Sequence, residues 1–186
     1  YELLIQMKAV VTREIASCLL TSIIIDTGFF RFANIRPKTF DICSRLIKTG
    51  VELRELVEEA YWKKSVPTAR LMGYCFSKVR LYDDGSIACA DVSQRTLKRF
   101  KAKLSDLDNV ADELRSIEGV RVAVLMRQTE KRSVRASLRS IGSLNVAGVA
   151  KQFGGGGHHN SAGCRLSDTP REKARFLAAV RELLRA

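Results

Sequence analysis

Residues 153–163 read Phe153-Gly154-Gly155-Gly156-Gly157-His158-His159-Asn160-Ser161-Ala162-Gly163. Glycine adds no packing and loses more backbone entropy on folding than any other residue. Inside an element each one costs about 0.5–1 kcal/mol against alanine. Four in succession point to a backbone that turns sharply or lies very close to something. No Lys-Ser/Thr follows them, so this is not a Walker loop, and the tract follows a helical pattern, so it is not a Rossmann fingerprint. Successive backbone N–H groups in a glycine-rich turn form a concavity that binds anions. A histidine at its edge adds a hydrogen bond and some positive charge near neutral pH. His158 and His159 are the only histidines. Adjacent side chains diverge, so a zinc site from this chain alone is not expected.

The residues before the tract give its first glycine an ordinary task. Asn145 can cap a helix that places Val146, Val149, Ala150 and Phe153 at i, i+3, i+4 and i+7, and Gly154 suits its C-terminal end. Gly155, Gly156, Gly157 and His158 remain as a contact surface. Further upstream, Val134-Arg135-Ala136-Ser137-Leu138-Arg139-Ser140 alternates with period two. Val134, Ala136 and Leu138 share one face, and Arg135, Ser137 and Arg139 the other. Arginine presents forked donors suited to phosphate. The same alternation also fits two arginines on a merely solvated face.

Charge divides the chain. The net charge is +12, yet residues 1–60 carry eight Lys/Arg against eight Asp/Glu, so residues 61–186 hold the whole excess. A basic lobe beside a neutral one suggests an anionic partner for the second. Lys63-Lys64-Ser65-Val66-Pro67 is the best linker candidate, followed by a short helix over about Thr68 to Cys75. No apolar run reaches the ~18 residues of a membrane span, and no membrane association is expected. The five cysteines show neither metal-ligand spacing nor a disulfide framework. They read as small buried residues in a reducing cytoplasm.

The remaining elements follow from periodicity. Thr12 can cap a helix carrying Ile15, Cys18, Leu19 and Ser22, while Ile23-Ile24-Ile25 reads equally as helix or buried strand. Asp26, directly after that run, would be desolvated unless a metal, a helix N-terminus or an arginine compensates it. It could equally cap the next turn through Gly28. Pro37 begins a helix striped by Phe40, Cys43 and Ile47 and closed near Gly50, and another spans about Leu53 to Trp62. Asp83-Asp84-Gly85 joins two alternating runs as a hairpin. A basic helix covers Ser93 to Lys103, another begins at Asp108 or Asn109, and Val120 to Met126 is a central strand. Thr169-Pro170-Arg171-Glu172 opens a last helix with Phe176, Leu177, Val180 and Leu184 on its buried stripe.

The sequence Gly155-Gly156-Gly157-His158-His159-Asn160-Ser161-Ala162-Gly163 resembles the GGGHxxAAG signature of the DHH-associated domain of DHH phosphoesterases, with Ser161 where alanine is usual. Those enzymes include RecJ-like exonucleases, oligoribonuclease/pAp phosphatases and cyclic-dinucleotide phosphodiesterases. The Val134–Ser140 strand and the Asn145 helix also resemble that family, which implies substrate binding by Arg139. Thr21-Ser22-Ile23-Ile24-Ile25-Asp26-Thr27-Gly28-Phe29-Phe30-Arg31 is similar to the fourth motif of the DHH domain. That likeness implies a helix before Asp26 and a manganese-ligand role for Asp26. No Asp-His-His triplet and no upstream Asp-x-Asp is present. One carboxylate cannot hold two Mn²⁺ ions.

The expectation is an α/β chain. Residues 1–62 form the helical tail of a DHH domain, 63–76 a linker that lets the lobes open and close, and 77–186 a mixed β-sheet substrate domain with flanking helices. The chain opens at Tyr1 in what reads as helix, and is expected to be the C-terminal portion of a Mn²⁺-dependent phosphoesterase, inactive alone. Its substrates would be short single-stranded RNA or DNA or nucleotide phosphates. Asp26 would complete the metal site, and Arg139, Gly155, Gly156, Gly157 and His158 would grip substrate across the cleft, with Arg135 assisting. A non-catalytic RNA-binding module, as in the related domains of alanyl-tRNA synthetases, is the alternative, and a degenerate partner subunit a third. The sequence leaves the oligomeric state open, a homodimer included.

Overall fold

The structure, a computed structural model, describes residues 1–31 and 34–185. It divides into two compact units, 1–64 and 65–186.

The first unit is helical: α1 (Glu2–Gln6), α2 (Arg13–Asp26), α3 (Pro37–Ile47) and α4 (Leu53–Val57), the last running into a π-helical turn at Glu58–Trp62. Thr12 caps α2 by accepting from the Ile15 N–H at 3.4 Å, and Ile23-Ile24-Ile25 is helix. The buried stripe of α2 is Ala16, Leu20 and Ile24, packed with Cys43 and Leu46 of α3 and with Val51. It is offset from the expected one. Ile15 and Cys18 face outward, as do Phe40 and Ile47 on α3. Apolar residues surround much of α2, so their spacing alone could not show which side meets α3.

The second unit begins with α5 (Val66–Ser77). Lys63 and Lys64 belong to the first unit, and most of the remaining 63–76 segment lies in α5, whose Leu71 and Cys75 are buried in the second unit's core. Then come β1 (Arg80–Tyr82), β2 (Ile87–Val92), α6 (Gln94–Phe100), a 3₁₀ turn, α7 (Val110–Arg115), β3 (Val122–Glu130), β4 (Ser133–Ser140), α8 (Val146–Gln152), β5 (Gly156–His158), β6 (Ser161–Ser167) and α9 (Pro170–Arg185). The sheet order is β1-β2-β3-β4-β6-β5. Only β2 and β3 pair in parallel, which requires a crossover, here α6 to α7; the other neighbours are antiparallel. Asp83 and Asp84 adopt left-handed φ of 51° and 52° in the β1–β2 hairpin, conformations that aspartate tolerates better than most residues.

Both faces of the central strands are buried, which is why Val122–Met126 is continuously apolar. On one face Val124, Met126, Ala136 and Leu138 pack with Val146 and Val149 of α8 and Phe176 and Val180 of α9. On the other, Ala88, Ala90 and Leu125 meet Leu71 of α5, Leu97 of α6 and Leu114 of α7. Lys173 of α9 lies 2.9 Å from Asp91 and 2.8 Å from Asp168. Burial pulls its pKa down, but its hydrogen bonds to both carboxylates leave it raised overall. No helix among the described residues is long and apolar enough to cross a membrane.

All five cysteines are free, and Cys18 alone is exposed. Burial pushes the thiols of Cys75, Cys89 and Cys164 up to about 11. Because the thiolate is the reactive form, an aromatic disulfide reagent at pH 8 should titrate one fast thiol in the folded chain and five in denaturant. Cys18→Ser should abolish the fast phase.

Candidate phosphate-binding sheet face

The glycine tract passes from the end of a helix into an edge strand. Gly154 ends α8 in the left-handed region at φ 67°. The N–H of Gly154 donates to the Lys151 carbonyl at 3.1 Å, and that of Gly155 to Ala150 at 2.9 Å, the pairing of a Schellman motif. Gly156–His158 then forms the edge strand β5, joined to β6 by the two-residue turn His159-Asn160. The Asn160 side-chain amide donates to Ser140 Oγ and the Gly142 carbonyl, each at 3.0 Å. The His159 carbonyl accepts from the Val146 N–H at 2.9 Å. These bonds fix the hairpin against the β4–α8 connection.

Three glycines of the tract thereby acquire separate explanations. A Cβ on Gly155 would lie 2.2 Å from the Gly163 carbonyl oxygen. One on Gly157 would lie 2.5 Å from the Ser161 carbonyl oxygen, at a backbone φ of 143°. Both positions are glycine because β5 presses against β6. At Gly156 a Cβ would meet nothing within 4 Å. The fold places no demand on Gly156.

The registers gather the remaining residues. Arg139 of β4 stands opposite Ser161 of β6, and Ser161 opposite His158 of β5. One step along, Ser137 stands opposite Gly163, and Gly163 opposite Gly156. Because side chains alternate across a sheet, these rows share one face, the one on which α7 covers β3 and the adjoining part of β4. His158 is exposed, and Ser137, Ser161 and Gly163 are half-buried. Arg135 lies on the same face, exposed, opposite Arg165. None of the face positions on β4, β5 or β6 is a carboxylate.

Arg139 is not free. Its Nε donates to Asp112 of α7, 3.0 and 2.9 Å from the two carboxylate oxygens, and its Nη1 donates to its own Leu138 carbonyl at 3.1 Å. The pair is about one-fifth exposed on each side. Asp112 holds the guanidinium against the sheet and removes part of its charge, leaving other N–H donors for a ligand. Sequence reasoning missed Asp112, because the apolar stripe of α7 hides the significance of its polar neighbour. It also missed Arg165, although Ala162-Gly163-Cys164-Arg165-Leu166 carries a period-two signal that could have found it.

Asp26 lies in the first unit, the last residue of α2, and is exposed. It lies two positions past buried Ile24, about 200° around the helix, so it faces outward and the expected desolvation does not arise. Nor does its side chain cap the next turn among the described residues. Buried Thr27 does so, its Oγ1 accepting from the Phe30 N–H at 3.1 Å and donating to the Ile23 carbonyl at 2.7 Å. The turn is strained: Gly28, Phe29 and Phe30 have φ of 55°, 59° and 60°, and a left-handed non-glycine residue costs roughly 1–2 kcal/mol. Stacking of Phe30 on Phe40 and a tilted contact of Phe29 with Tyr61 help hold it. Among the described residues, no three His, Cys, Asp or Glu side chains converge to hold a metal ion. Asp26 offers a single carboxylate, so the residues present do not fit a two-metal centre by themselves.

Helices on both faces of a mixed six-stranded sheet, with a glycine–histidine hairpin at its edge, define a mixed-sheet α/β domain. The DHHA1 domain family matches residues 84–186, and the chain belongs to it. The bifunctional oligoribonuclease and PAP phosphatase NrnA of Thermus thermophilus is 35% identical over 175 residues, covering 93% of this chain and 52% of the relative. Its Bacillus subtilis counterpart is 29% identical over 151 residues, 81% of this chain and 47% of the relative. An exopolyphosphatase-related protein from Bacteroides fragilis has a crystal structure that matches at TM-score 0.80 and 26% identity, over 94% of this chain and 50% of that one. The chain spans about half the length of the curated relatives it matches. The family found is the one the motifs resemble.

The glycines give a sharp contrast. Gly155→Ala should destabilise the second unit by about 1–3 kcal/mol through overpacking, read as a lower midpoint in urea. Gly156→Ala should leave the midpoint within about 0.5 kcal/mol, as for a surface substitution.

Proposed function

We propose that this chain is the substrate-binding portion of a metal-dependent phosphoesterase acting on short single-stranded oligonucleotides or nucleotide phosphates. The observation that carries the reading is the row Arg139–Ser161–His158, beside the open backbone of Gly156, on strands that contribute no carboxylate to that face. Arg139 and His158 supply charged or neutral donors to a phosphate, Ser161 a hydroxyl, and Gly156 lets the ligand approach the main chain. Bulkier residues at position 156 would hold it off. The names of the two NrnA relatives, oligoribonuclease and PAP phosphatase, agree with phosphate-ester substrates. The free cysteines agree with a cytoplasmic protein.

Asp26 is assigned one ligand position in a Mn²⁺ centre of the longer enzyme, whose other ligands come from outside these 186 residues. In that arrangement the chain alone binds substrate and does not cleave it. A bound metal would supply an activated water and charge neutralisation at the phosphate.

Two experiments test the reading in the full-length enzyme. Arg139→Ala and His158→Ala should each lower kcat/KM on a dinucleotide about 10–100-fold, as expected for losing one charge-assisted hydrogen bond of roughly 1.5–3 kcal/mol. Unchanged kinetics in both variants would remove the site. For Asp26→Asn, Mn²⁺ occupancy measured after dialysis should fall while dinucleotide affinity in EDTA is retained. Full occupancy would remove Asp26 from the metal centre.

A further inference from the structure

Beyond the Arg139 row, the same sheet face carries a second basic row. Arg135 on β4 stands directly opposite Arg165 on β6, and both are exposed. Like charges directly opposite one another across antiparallel strands are destabilising. Neither arginine has an ion pair or side-chain hydrogen bond with another described residue. Arg127 on β3 completes the row but is already satisfied: its Nη1 lies 2.7 Å from Asp108 and is buried. The nearest carboxylate by register is Glu130, opposite Ser133 at the end of the strand, and it pairs with neither arginine. The fold therefore maintains two adjacent, uncompensated guanidiniums on the face that also bears Arg139 and His158.

We infer that Arg135 and Arg165 form a second anion subsite, which takes a phosphate further along the backbone of a single-stranded oligonucleotide held at Arg139 and His158. Four residues separate each arginine from the first row along its strand, about 13 Å at roughly 3.3 Å per residue. A ligand that engages both rows with separate phosphates must carry several anionic groups along an extended backbone, as a pentanucleotide does. Bases are not read here, because guanidiniums facing phosphates position a strand without specifying its sequence. This subsite rests on the reading of the first row as a phosphate grip, and it makes chain length the property that the domain senses.

Equilibrium binding of a fluorescent RNA dinucleotide and pentanucleotide, in EDTA so that neither is cleaved, tests this. The Arg135→Ala/Arg165→Ala double variant should bind the pentanucleotide about tenfold more weakly than wild type and the dinucleotide equally well. The slope of log affinity against log salt for the pentanucleotide should shrink by about 0.7 per lost phosphate contact, as for single strands. A control, Arg171→Ala/Arg185→Ala on α9, removes equal charge from the helix on the opposite face and should change neither affinity. Unchanged pentanucleotide affinity in the first double variant overturns the subsite. So does an equal loss for the dinucleotide, or an equal loss in the control. Arg139→Ala tests the underlying reading separately and should weaken both ligands. If it weakens neither while Arg135 and Arg165 matter, the first row fails, and with it the inference that the second extends it.

Discussion

The placement of β6 between β4 and β5 is the constraint on which the rest of the second unit depends. β5 can lie against β6 only because Gly155 and Gly157 lack a Cβ, and the Asn160 amide pins the connecting turn to the β4–α8 loop. A one-residue slip in such a pairing would send every side chain to the opposite face. With the register held, His158, Ser161 and Arg139, separated in sequence by up to 22 positions, fall into a single row. The same register sends Val134, Ala136 and Leu138 into the core under α8 and α9. Packing and site are thus fixed by one set of strand contacts.

Electrostatic asymmetry follows from that arrangement. Several carboxylates of the second unit are held in ion pairs: Asp91 and Asp168 with Lys173, Asp108 with Arg127, Asp83 with Arg181. Two carboxylates engage residues of the candidate face, Asp108 with Arg127 and Asp112 with Arg139. A guanidinium so held loses less freedom when a ligand arrives than one on a mobile stem, and its partial neutralisation limits the like-charge repulsion near β4. Arg135 and Arg165 have no such partner, which makes their repulsion available to be relieved by an anion.

The first unit shows a different economy. Its strained turn, Gly28–Phe30, follows Asp26 after one residue, Thr27, which holds it, buried with its hydroxyl bonded on two sides. Strained backbone persists where the surroundings over-determine it. Here the aromatic contacts of Phe29 with Tyr61 and Phe30 with Phe40 do so. The exposed position of Asp26 follows from its phase on α2, on the side away from Ile24.

Much of this was legible in the residues. Period-two alternation gave the two faces of β4, the Asn145 cap and Gly154 bounded α8, and the Asp83-Asp84-Gly85 turn marked the hairpin. Local backbone chemistry decides such features, and the sequence reports it directly. Helix α2 was misphased because apolar residues surround it, and only its packing against α3 selects Ala16, Leu20 and Ile24. The glycine tract suggested close approach, but not approach to what. Tertiary structure assigns Gly155 and Gly157 to contact with β6 and leaves Gly156 open. Asp112 and Arg165 come to the candidate face through helix packing and strand register, contacts between residues distant in sequence. The sequence by itself determined which residues turn, cap and alternate, because those are local preferences. Which of them meet was decided only when the sheet closed on one register.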